Sequence, residues 1–334
     1  MFGLGWLRAL TDARGLLEHA HHGVPRLGEG YTTDDNARAL LYLSLLPEGA
    51  RDEGLVRTYL AFLLHMQKED GRFRNGLTLD GRFEDEGEAE DPTGRAVLAL
   101  AAAQRLPPPY AGPAREALLR ALPALEGFTS LRGRAYALLG LLALPKEPFL
   151  EAAEALGEGL LRAFREAEPA WPYPGPLTYA NHRPVEALYA YGLAFRRQEA
   201  VALARRALAF LKEHYFTPGE EGLFFDPVGN RFMARGRDKP LFDQQPIEAK
   251  CALLAHLRFG ERVLAEVAFL WFHGRNRLRA PLVDAFGPMD GLTPHGPNQN
   301  RGAEALLAYL LAWQALVQGV FPQVDEGVAL GRVF

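Results

Sequence analysis

The sequence predicts an all-α fold, an (α/α)6 toroid running as one domain over residues 1–334. Three observations predict it. A short pattern recurs six times: a polar cluster, then Arg or Glu, then Ala and an apolar run. The copies centre on Arg38-Ala39, Arg95-Ala96, Arg134-Ala135, Glu186-Ala187, Glu248-Ala249 and Glu304-Ala305. Their spacing of roughly 40–60 residues suits one helical hairpin plus a loop. Leu, Ala, Glu and Arg also dominate over β-branched residues, which favours helix throughout. Six hairpins closing on themselves would bring the polar clusters to the N-termini of six inner helices, all on one face of the ring.

The elements follow in order. A first outer helix is expected over 6–20, ended by His19-Ala-His-His-Gly23 and Pro25. Thr32, Thr33 or Asp34 can cap the first inner helix, which runs to about Leu46. An outer helix spans 54–67, with Leu55, Val56, Tyr59, Leu60, Leu63 and Leu64 near helical spacing. The polar loop 68–90 carries Asp-Gly and Asn-Gly turn signals, and its acidic run ends at Asp91. Helices over 91–105, 112–125, 130–144 and 149–166 follow on short connections, which would mark the less functional side of the ring. The loop 170–182 is too rich in proline for helix. Helices near 183–196 and 198–214 come next, then a long loop in which 222–233 suggests a short β-hairpin. Pro246 suits the first turn of the fifth inner helix. Its outer partner spans 261–273, the sixth inner helix 301–316, and residues 317–334 read as a terminal tail.

Composition narrows the function. A net charge of −4 with no basic stripe argues against a nucleic-acid partner. The single Cys251 excludes an intrachain disulfide and a cysteine-based zinc cluster. His19, His21 and His22 lack further ligands at suitable spacing, so neither a metal nor another cofactor is expected. Nothing resembles a secretory leader, and no apolar run reaches membrane-spanning length. The expectation is a cytoplasmic protein with no membrane partner. There is no Gly-x-Ser-x-Gly elbow, no phosphate-cradling Gly-Lys-Ser/Thr loop and no dinucleotide fingerprint.

The repeated positions carry the chemistry. Three copies carry Arg at the key position (Arg38, Arg95, Arg134) and three carry Glu (Glu186, Glu248, Glu304), and around a ring they could neutralise one another as a structural network. Asp34, Asp35, Asp91 and Asp243 fall at helix N-termini, where they either cap the helix or meet a ligand. One cap needs only one of Asp34 and Asp35. Glu248, deeper along its helix, better fits a carboxyl that holds a proton. The loops add Tyr31, Phe83, Trp171, Tyr173, Phe225, Phe242 and Phe286, with the amides Asn181, Gln244, Gln245, Asn298 and Asn300. Rings that stack on sugar faces and amides that bond sugar hydroxyls suit a carbohydrate. His182 and His295 are either structural or aimed at a hydroxyl.

Four segments carry a resemblance: Tyr31-Thr-Thr-Asp-Asp-Asn-Ala-Arg-Ala-Leu40, Phe242-Asp-Gln-Gln-Pro-Ile-Glu-Ala249, Trp271-Phe-His-Gly-Arg-Asn276 and Asp290-Gly-Leu-Thr-Pro-His295. The chain resembles a family of six-hairpin, glycosidase-like proteins often found beside or fused to glycosyltransferases. The resemblance runs from about residue 10 to 315. It implies a carbohydrate substrate and points to Asp34, Asp35, Asp243, Glu248, Asp290, His295, Asn300 and Glu304.

The resulting expectation is a glycoside hydrolase acting on an oligosaccharide with inversion. Glu248 would be the acid and Asp34 or Asp35 the base, with Asp243 also catalytic. Tyr31, Asp91, Trp171, Tyr173, His182, Gln244, Gln245, Asp290, His295, Asn298, Asn300 and Glu304 would bind substrate. One rival is a sugar epimerase or isomerase, which would need His182 and His295 facing each other. Another is a noncatalytic glycan-binding partner of a glycosyltransferase.

Overall fold

A computed structural model describes residues 3–84, 90–144 and 146–319. Within them, α2 (Thr33–Leu45), α4 (Glu90–Ala102), α6 (Leu131–Leu141), α8 (His182–Ala194), α10 (Pro246–Arg258) and α12 (Ala303–Gln318) are the inner helices. Each packs on the next, and α12 packs on α2, so the ring closes as expected. The outer layer is α3 (Glu53–Met66), α5 (Pro108–Leu125), α7 (Phe149–Arg165), α9 (Gln198–Tyr215) and α11 (Arg262–Leu270). The short α1 (Leu4–Ala9) leans on α12.

The two layers bury differently, and the sequence says why. In α7, Phe149, Ala153, Leu156, Leu160, Leu161 and Phe164 form one buried stripe at helical spacing, the pattern of a helix with one wet face. In α2, nearly every residue from Asp35 to Leu45 is buried, charged ones included. A helix surrounded on all sides keeps charges only where they find partners. Helices α4 and α6 pack tightly at a glycine. A Cβ on Gly94 would stand 2.4 Å from the Gly133 carbonyl oxygen, so any side chain there must push the helices apart.

Two expected elements differ. The first outer helix ends at Ala9, not near residue 20. The Asp12 carboxylate accepts the N–H groups of Arg14 and Gly15, an Asx turn that competes with helix. The chain then bridges Thr11 to Leu16 and Leu17 to Tyr31, while Asn36 on α2 accepts the Leu16 N–H. Residues 10–31 thus lie across the mouth of the ring. The β-hairpin is real but earlier, pairing Phe216–Gly219 with Gly222–Phe225. Short ladders decorate the other mouth loops, one joining Tyr31–Thr32 to Gly76–Leu77 and Phe83–Glu84. The expected acidic run falls partly at 85–89, and most of the expected tail at 320–334. Both lie outside the described residues.

Candidate active site

The loops that precede the inner helices all open on one face, and the acidic residues gather there. Thr32 caps α2: its Oγ1 accepts the Asp35 N–H at 3.3 Å and donates to Asp35 Oδ2 at 3.0 Å. The other carboxylate oxygen of Asp35 accepts from Arg38 Nη1, so Asp35 is fully engaged and buried. Burial raises its pKa against the pull of Arg38. Its neighbour behaves differently. Asp34 keeps an exposed edge and sits between two guanidinium groups, 3.1 Å from Arg95 Nε and 3.7 Å from Arg38 Nη2. The doublet therefore divides into a structural member, Asp35, and an open member, Asp34.

More carboxyls surround them. Glu304, at the start of α12, pairs with Arg38 at 3.1 Å. Asp290 accepts the Gly302 N–H just ahead of that helix, and burial raises its pKa. Glu248, in the first turn of α10, is almost wholly buried. One of its oxygens accepts the Ala180 N–H, and the Tyr215 hydroxyl lies beside the carboxyl. Burial outweighs both and pushes Glu248 up to about 8. Glu18, in the strap across the mouth, is raised to about 7 by burial and by the nearby Asp35. Sequence reasoning missed Glu18, whose only signal is an acidic residue after the apolar pair Leu16-Leu17.

A cavity of about 820 Å³ opens at this mouth, and its wall includes Glu18, Thr32, Glu90, Asp91, Arg132 and Tyr179. The second and third repeats, expected to be the quieter side, supply much of that wall. Asp91 is the hub there. It accepts from Ser130 Oγ, from the Tyr179 hydroxyl at 2.6 Å and from Arg132 Nε at 2.9 Å. Burial alone would raise it, but these three partners hold it below the usual carboxylate range. Arg132 also lies over the Tyr179 ring, 4.0 Å from its centroid. Arg134, expected in the inner ring, turns away instead: its Nε donates to the Phe128 carbonyl and it reaches Gly159 on α7.

Several other expected contacts are placed elsewhere. Tyr31 is buried, its hydroxyl on Asp12. Tyr173 is buried edge-on to Phe164. Trp171 packs on Phe210 and, with Tyr173, lines a separate cleft of about 610 Å³. His182 is enclosed by the rings of Tyr215 and His256, and burial with the neighbouring His256 holds its pKa well below the ordinary imidazole value. Gln244 is buried, donating to Asp226 and accepting from Trp271 Nε1. Asp243 is exposed beside Asn230, and Gln245 is the residue that leads into α10. Asn298 and Asn300 brace their own loop and the His22 N–H. His295 is exposed at the tip of that loop. The acidic cluster thus brings together Asp34, Asp35, Asp290 and Glu304 with Glu18, and Glu248 stands near Glu304.

Among the described residues, no group of His, Cys, Asp and Glu is arranged to hold a metal ion, and no helix is long and apolar enough to cross a membrane. No protein-family model matches the sequence. No curated protein matches it by sequence either. Solved structures match by fold. A D-mannose isomerase superposes with a TM-score of 0.69 over 95% of each chain, at 10% identity. Cellobiose 2-epimerase from Bacillus thermoamylovorans gives 0.67 at 9% identity, over 93% of this chain and 95% of that one. A GH76 α-mannanase from Bacteroides thetaiotaomicron gives 0.64 at 11% identity, over 95% and 94%. These likenesses establish the six-hairpin toroid.

Proposed function

We propose that this chain is a carbohydrate-active enzyme that hydrolyses a glycosidic bond in an oligosaccharide through two carboxyl groups. The observation that carries the reading is the division of one carboxyl set by environment. Glu248, raised to about 8, keeps its proton at neutral pH, whereas Asp34 is a partly exposed carboxylate 3.1 Å from Arg95 Nε and 3.7 Å from Arg38 Nη2. A protonated carboxyl can donate to the leaving oxygen while an ionised one activates water. Glu248 is assigned as the acid and Asp34 as the base, in an inverting reaction. Glu18 lies near Asp34 and Asp35, and Glu304 near Glu248, whose pKa it helps to raise. The cavity of about 820 Å³ at the mouth is walled by Glu18, Thr32, Asp91 and Arg132, not by Glu248 or Asp34 themselves. This polar wall suits a short oligosaccharide better than an apolar ligand. Two of the fold likenesses act on sugars by isomerisation or epimerisation and one is a mannanase, so the substrate class has support from both.

Isomerisation on the same toroid is the second reading, favoured by those same likenesses. The pair of facing imidazoles it was expected to use is not formed by His182, which is enclosed in the core, and His295, which is exposed. A panel of defined oligosaccharides, followed by proton NMR of the fresh products, tests the proposal. New reducing ends with inverted anomeric configuration are expected. Recovery of an epimer or ketose with no bond cleavage would move the assignment to isomerisation, and binding without turnover would make the chain a glycan-binding protein.

A further inference from the structure

Below the acidic mouth, the inside of the ring holds a second, smaller chamber of about 20 Å³. Its polar wall is Arg38, Arg95, Arg183, Lys250 and the Tyr136 hydroxyl, and leucines from α2, α10 and α12 close it. That volume admits one water-sized occupant and no sugar. Every polar group around it is a donor or, at Tyr136, can act as one.

The charges do not balance. Arg38 pairs with Asp35 and Glu304, and Arg95 pairs with Asp34. Glu186 takes both Arg183 and Arg258. Lys250 is 2% exposed and has no hydrogen-bond or ion-pair partner among the described residues. The Tyr136 hydroxyl is buried without a partner too, beneath the Arg95 guanidinium, 4.2 Å from its ring centroid. The next residue on α10 is Cys251, a buried thiol that burial keeps protonated. Burial and the neighbouring guanidinium groups push Lys250 down to about 8, which still leaves it an ammonium at neutral pH. Facing three guanidinium groups without an ion-pair partner, it is costly unless it sheds its proton or something negative joins it.

We propose that this chamber binds a single halide-sized monoanion, chloride in ordinary solution, held by Lys250 Nζ and the Tyr136 hydroxyl among the arginines. The anion supplies the missing charge, and phosphate or a carboxylated sugar is too large for the space. Arg38 and Arg95 reach the acidic mouth with the same guanidinium groups that border the chamber, so an ion below them acts on Asp34 and Asp35 above.

Crystals of the full chain grown in sodium bromide, with data collected at the bromine edge, test the site directly. An anomalous peak in contact with Lys250 Nζ is expected; density there without anomalous signal, meaning water only, overturns the proposal. In solution, the thermal midpoint should rise saturably with sodium chloride but not with sodium gluconate at equal ionic strength. Lys250→Met should lose that chloride dependence whatever its own stability. Equal effects of both salts on the wild-type chain would also overturn the proposal.

Discussion

Arg38 Nη2 lies 3.1 Å from Glu304 Oε2, joining the first inner helix to the last across 266 positions of sequence. The two partners are unequal. Arg38 is buried and also binds Asp35, whereas the Glu304 side chain is 40% exposed. Solvent screens the exposed partner, so Glu304→Gln should cost about 1 kcal/mol or less. Arg38→Met strands the buried Asp35 carboxylate and should cost roughly 3–5 kcal/mol. Denaturant unfolding of the two variants should reproduce that order, and equal losses would contradict it.

Glu248 should dominate the pH dependence of stability. Its pKa is about 8 in the folded chain against the ordinary 4.5. Between these values the folded state holds a proton that the unfolded state releases. The stabilisation from protonated Glu248 is therefore complete below the unfolded value and is lost as pH rises through the folded one. Glu248→Gln should gain in thermal midpoint relative to wild type as pH goes from 5 to 8. Melting curves at intervals of one pH unit give the slope, and a constant difference would place Glu248 in a less buried setting.

The same substitution should lower turnover by roughly 10²–10⁴-fold on any oligosaccharide that proves to be cleaved. Circular dichroism at pH 6 should still report a folded, helical chain. Activity near the wild-type level would remove Glu248 from the chemistry.

Asp34 and Asp35 should separate cleanly. Asp34→Asn keeps an acceptor for Arg95 and should abolish kcat with a small change in thermal midpoint. Asp35→Asn disturbs the α2 cap and the buried pair with Arg38, and should destabilise by about 1–3 kcal/mol. Parallel melts and turnover assays distinguish them; reversed effects would exchange their roles.

Gly94→Ala should destabilise by about 1–3 kcal/mol, because its Cβ meets backbone, not a yielding side chain. Gly112→Ala, where nothing lies within 4 Å, is the control in a helix interior and should be neutral or better. Chemical denaturation of both decides it.

The ring was legible because each inner helix begins with a polar cluster and continues as an apolar run. The Asp34-Asp35 doublet stood out for the same reason, although the cap falls to Thr32 and neither acid is used for it. Arg134 was misread because repeat spacing gives the position along a helix but not its rotation. Gly133 packs against the backbone of α4 and fixes that rotation, which turns Arg132 to the mouth and Arg134 outward. Glu18 was missed because it precedes the first repeat, in a stretch whose Asx turn at Asp12 overrides helical periodicity. His182 occupies the repeat position one turn ahead of Glu186, yet its ring is taken up by Tyr215 and His256, contacts that arise only when α8, α9 and α10 assemble.

The closure of α12 on α2 has a consequence for how the molecule comes apart. Every other pair of neighbouring inner helices is tethered along the chain by an outer helix and its loops. This pair is held by noncovalent contacts, among them Gln314 Nε2 on the Tyr42 carbonyl and, through the strap, the Ala303 N–H on the Glu18 carbonyl. Asp34 and Asp35 stand on one bank of that junction, Glu304 on the other. Any fluctuation that parts the banks disperses the acidic cluster while the remaining hairpins stay stacked, so catalytic competence should fail before the helices melt.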